Sequence, residues 1–147
     1  MHLFVDRPFT PTPEPDPFIQ AAIVAWTEEV VRSGYDWLGQ TLDPPDEEGR
    51  LEILARLNRR RPGTAGVYMR FIEAPSLVGF GPAYTQVQCT VYGPSGRVLL
   101  ADVLESPERR SLVDMVLPRR RPEVDGRYWA ARVWREVARV LPPRVRE

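Results

Sequence analysis

At 147 residues, with 43% hydrophobic and 27% charged residues, the chain has the length of one domain and the composition of an ordinary globular protein. A chain of this size buries ~70% of its unfolded surface without covalent staples. Its single cysteine, Cys89, excludes an intrachain disulfide and a cysteine-cluster metal site.

All 20 basic residues are arginine, so neither a Schiff-base lysine nor the lysine of a phosphate-binding loop is available. The one histidine, His2, stands beside Met1, a poor position for a Ser-His-Asp or Cys-His mechanism. No cofactor is expected. No run approaches the ~18 apolar residues of a membrane-spanning helix, and the first residues lack the charged-then-apolar pattern of a secretory signal. The expectation is a chain that makes no membrane contact and is cytoplasmic or assembled into a particle. The net charge is zero but unevenly placed: residues 1–58 carry 4 Arg against 11 Asp or Glu, a net −7, and residues 59–147 carry 16 Arg against 9, a net +7. Either the halves neutralise each other within one fold, or they form unlike surfaces suited to association.

In chain order, HLFVDRPF offers a short edge strand at Leu3 to Val5 before Pro8 interrupts it. PTPEPDP follows, with a proline at every second position from Pro11 to Pro17, which favours extended polyproline II backbone. Residues 1–17 are therefore read as a proline-rich arm and 18–147 as a single α+β domain. Asp16-Pro17 is a helix start, and Ile19, Ala22, Ile23, Trp26 and Val30 form a core-facing stripe up to Ser33-Gly34. Val24 and Val31 widen the apolar surface toward a second face, and 35–42 reads as a further helical turn. A second helix is expected from the cap at Asp43-Pro44, effective from Arg50, with Leu51, Ile53, Leu54 and Leu57 buried and Pro62-Gly63 ending it. Val67 to Glu73 alternates as a strand.

The stretch Tyr84 to Glu105 is two strand-compatible runs around Gly93-Pro94-Ser95-Gly96, a hairpin signal. A four-residue loop pairs Tyr92 with Arg97 and puts Val87, Cys89 and Val91 on one face with Val98, Leu100 and Asp102. A bulge at Gly93 or Gly96 would move Asp102 to the other side, so the register stays open. The run RVLLADVLE is apolar almost throughout and reads as a strand that is central or buried on both faces. Ser106-Pro107-Glu108 opens a short helix or a further strand. The last helix is expected over 126–141, capped by Asp125, with Trp129, Ala130, Val133, Trp134, Val137, Val140 and Leu141 inward and Arg132, Arg135, Arg139 and Tyr128 outward. The fold class is α+β: an antiparallel sheet of three to four strands packed against two to four helices on one side.

No catalytic motif stands out. Asp102, desolvated on a buried strand with Glu73, Glu105 or Asp114 nearby, is the candidate for acid–base chemistry and supports a second alternative, a small enzyme. The first alternative is a nucleic-acid binder using the Arg59 to Arg61 and Arg119 to Arg121 triplets and the helical arginines; zero net charge weighs against it. The leading expectation is a non-catalytic protein–protein interaction or assembly module, an accessory or structural subunit that associates with itself or another protein. Its partner-binding candidates are the apolar loop residues Leu77, Val78 and Phe80, with Arg119, Arg120, Arg121, Arg132, Arg135 and Arg139. Head-to-tail contact between unlike surfaces closes into a ring, the geometry of virion connectors.

Overall fold

The computed structural model describes residues 1–6, 17–73, 84–105 and 122–141. Its elements are β1 (His2–Asp6), α1 (Pro17–Arg32), β2 (Gln40–Leu42), α2 (Glu47–Arg60), β3 (Gly66–Glu73), β4 (Tyr84–Tyr92), β5 (Val98–Glu105) and α3 (Pro122–Val140). The five strands form one sheet in the order β2-β1-β3-β4-β5. β1 is parallel to both of its neighbours, and β3, β4 and β5 form an antiparallel meander. The α+β class holds, but the sheet is mixed and five-stranded rather than antiparallel with three or four. The short N-terminal strand lies in the sheet's parallel part rather than at an edge. Its residues His2 to Val5 are buried, Leu3 pairing with Gln40 on one side and Val67 on the other.

Two consecutive crossovers connect parallel strands, β1 to β2 through α1 and β2 to β3 through α2, and they run across the sheet in opposite senses. Right-handed crossovers then require the two helices to cover opposite faces, and the packing agrees. On one face Leu3, Val5, Val67, Met69, Phe71, Val87, Cys89 and Val91 meet α1 and α3, which supply Ile19, Trp26, Val30, Trp129, Val133 and Val137. On the other, Leu54 of α2 closes over Phe4, Tyr68 and Tyr92. Helices on both sides replace the one-sided layer expected from the sequence. Gly66 permits the approach of α2: a Cβ there would stand 3.1 Å from the Phe4 ring and 3.3 Å from Leu54.

α1 and α3 pack so closely that a Cβ on Gly126 would lie 2.5 Å from the Phe18 carbonyl oxygen. Further along, Trp26 meets Trp134 edge to face at 5.3 Å, and Tyr35 adds a third ring at 5.9 Å. The stripes read from the sequence in both helices face the core, with Ile23 and Val140 only half-buried, and Tyr128, expected outward, turns partly inward against Trp129. Asp125 is not the cap of α3 but a buried residue of its first turn. α2 is capped by Asp46, which accepts from the Gly49 amide at 3.0 Å, and not by Asp43. The turn expected over 35–42 is instead a loop running into β2, where Asp43 N–H donates to Val5 O at 2.9 Å.

In the hairpin, Gly93 N–H donates to Arg97 O at 2.8 Å and Gly96 takes φ +83°. The irregularity falls between Val91 and Tyr92, not at a glycine: Tyr92 pairs with Val98 and Val91 with Leu100. Leu99 is therefore extra, and both Leu99 and Leu100 pack into the core below α1 and α3. Beyond the bulge Cys89 pairs with Asp102 and Val87 with Leu104, while Val98 stands opposite Tyr92. Among the described strands β5 is the outermost, which corrects its expected central place; the helix or strand expected from Ser106 lies outside the described residues.

Candidate functional site

Helix α2 covers only part of the sheet face it packs on. Alternation along the strands arranges that face in cross-strand rows. One joins Gly66 to Tyr92, and the next joins Phe4, Tyr68, Thr90 and Ala101. A third joins Asp6, Arg70, Gln88 and Val103. The first row and the Phe4–Tyr68 half of the second lie under Leu54. In the third row Arg70, Gln88 and Val103 are exposed and Asp6 is half-buried.

The border of α2 is fastened by a polar cluster. The Arg50 guanidinium lies 4.0 Å above the centre of the Tyr68 ring and donates to the Tyr92 hydroxyl at 3.2 Å and the Pro45 carbonyl at 3.2 Å. The Tyr68 hydroxyl donates to Asp6 Oδ2. Burial, then the hydrogen bond to Asp6, pushes the Tyr68 phenol up to about 12, so it is a neutral donor and not a phenolate. A stacked arginine and a phenol donating to a carboxylate hold a helix on a sheet. The topology also places a switch point at β1, where successive crossovers change faces; open sheets commonly bind ligands outside the strand ends at such a point. Asp6 marks that end of β1, but residues 7–16 and 74–83, which follow β1 and β3, lie outside the described residues.

The second open feature is the β5 edge. Among the described residues it has a hydrogen-bonded neighbour on one side alone, and Val98 and Val103 are 44% and 46% exposed. Asp102 is exposed on this edge and accepts from the Val103 amide at 2.8 Å. It shares the core-side face with Leu100 and Leu104, opposite Cys89. The burial on which its acid–base candidacy depended is absent. Glu105, on the other face, accepts from Gln86 at 3.1 Å, so the two carboxylates are not gathered. Cys89 is buried, and that burial, followed by the charges of Asp102 and Glu136, pushes its thiol up to about 12. Among the described residues no group of three or more His, Cys, Asp or Glu is placed to hold a metal ion, and no helix is long and apolar enough to cross a membrane.

The expected partner-binding residues fare unequally. Leu77, Val78, Phe80, Arg119, Arg120 and Arg121 lie outside the described residues, as does Asp114. Arg132, Arg135 and Arg139 lie along α3, but Glu136 engages two of them, at 2.9 Å from Arg132 and 3.3 Å from Arg139. That pairing reduces what the stripe offers a phosphate backbone. The sequence reading missed Arg50, Arg70 and the β5 edge itself. Strict alternation of Tyr68, Arg70 and Ile72 against Val67, Met69 and Phe71 was the available signal for Arg70. Comparison with protein-family models, curated proteins and solved structures finds no match for this chain.

Proposed function

We propose that this chain is a non-catalytic assembly module, a structural or accessory subunit that joins other subunits through the open half of its sheet. The observation that carries the reading is β5, the outermost of the described strands, eight residues long with two valines nearly half exposed. An edge strand presents a row of unpaired backbone donors and acceptors, and natural proteins either blunt such rows or use them for partners. Val24 and Val31, each 58% exposed on the outer side of α1, give a second apolar surface on a different element. Unlike surfaces on one subunit suit head-to-tail contact, which closes into a ring or extends as a filament.

Light scattering at low and moderate salt, across a range of protein concentration, tests this. Association into species heavier than the 16.8 kDa monomer is expected, weakening as salt screens the charged contacts. A 16.8 kDa particle under every condition would contradict self-assembly.

A further inference from the structure

Helix α2 carries its charges in blocks. Glu48, Glu52, Arg56 and Arg60 stand four residues apart, so they form one ridge along the helix, and all four are exposed. Leu54, which α2 buries on the sheet, lies about 160° around the helix from both Glu52 and Arg56, so the ridge faces away from the sheet. The turns on either side of α2, 43–46 and 61–65, are described as well. Among the described residues none of the four side chains takes part in a hydrogen bond or ion pair. The helix dipole accounts for Glu48 in the first turn and Arg60 in the last, but its influence fades within a turn of each end. It does not account for Glu52 and Arg56. Within the helix the blocks are unfavourable, because Glu48 and Glu52, like Arg56 and Arg60, put like charges at the spacing that brings side chains together.

The order negative, negative, positive, positive selects what fits the ridge. Turned end for end, it is its own complement. A second copy of α2 laid antiparallel sets Glu48 against Arg60 and Glu52 against Arg56, each twice by the two-fold symmetry, and it also opposes the two helix dipoles. A parallel copy would set like against like. A partner of one sign, such as a nucleic-acid backbone, would be repelled by half of the ridge. We infer that α2 is the contact of a two-fold dimer, in which it meets the same helix of a second copy running antiparallel. This contact lies on a different element from β5 and does not depend on the edge-strand reading above. Exposed ion pairs are individually weak and are screened by salt, so the dimer forms at high protein concentration and low salt.

The experiment is sedimentation velocity at low salt on the full chain, on its Glu52→Arg and Arg56→Glu variants, and on an equimolar mixture of the two variants. Both positions are exposed, and circular dichroism checks that the variants fold. Each variant alone turns the two central attractive pairs repulsive, which should weaken association about tenfold. The mixture should restore it, because the glutamates of one variant then face the arginines of the other. A charge effect confined to a single helix would not recover on mixing. Association untouched by either substitution would overturn the α2 contact while leaving assembly through another surface standing. Weakening in both variants without recovery in the mixture would rule out the antiparallel pairing. A wild type that stays monomeric at low salt would exclude a second copy as the occupant.

Discussion

Tyr68 is held from two directions, with Arg50 stacked on its ring and Asp6 accepting from its hydroxyl. Removing the hydroxyl leaves the ring and its stacking intact but takes a donor from a half-buried carboxylate. Hydrogen bonds to charged groups are worth more than neutral ones, so Tyr68→Phe should lower stability by about 1–2 kcal/mol in urea titration. An unchanged midpoint would show that Asp6 is fully compensated by water. His2 supplies a pH-dependent counterpart. It is buried, shares a 2.8 Å hydrogen bond with Thr41, and meets Phe4 edge to face. Burial lowers its pKa in the folded chain, so the unfolded chain takes up the proton first, near pH 6.5. Its contribution is therefore present above pH 6.5 and is lost as pH falls from there toward the lower folded value. Stability measured from pH 7.5 to 5 should decline, and His2→Asn should flatten that part of the decline. A slope unaltered by the substitution would assign it to other groups.

Among the elements, the two core helices were the most legible from sequence. Their apolar residues recur at helical spacing, and burial follows that spacing at Trp26, Val30, Trp129, Val133 and Val137. Strands β3 and β4 alternate and were equally plain. β2 was not, because Gln40-Thr41-Leu42 is three partly or fully exposed residues held by backbone bonds to β1. β1 looked like an edge because Pro8 cuts it short, and nothing local records that both of its sides are paired. Parallel pairing is a property of crossovers between distant segments. β5 misled for a different reason. Its bulge sends Leu99 and Leu100 into the same core, so a nearly continuous apolar run did not mean burial on two faces. Of the site, the carboxylate at Asp102 was visible as out of place, but its edge position was not. The α1–α3 contact gives a test of the element packing. Gly126→Ala must displace the Phe18 carbonyl, which belongs to α1 backbone, and should cost about 1–3 kcal/mol despite the better helix propensity of alanine. A stabilised variant would mean that the helices sit farther apart.

For the whole molecule, the division of labour is between a closed face and an open one. α1 and α3 seal one side of the sheet with three tryptophans, Trp26, Trp129 and Trp134. α2 seals part of the other, fastened at its border by Arg50, Tyr68 and Tyr92. Among the described residues, the row from Asp6 to Val103 and the outer side of β5 are left uncovered, and β5 carries Asp102 and Glu105 with no basic residue.

Amide hydrogen exchange along β5, followed from dilute to concentrated protein, tests that account most directly. In an antiparallel edge strand every second amide points away from its neighbour and has no ladder partner. These β5 amides should exchange rapidly in dilute protein and become protected as concentration rises, while those of Leu3 to Val5 in β1 stay protected throughout. Outward β5 amides that are already protected in dilute protein, or that stay unprotected in the concentrated sample, would contradict it.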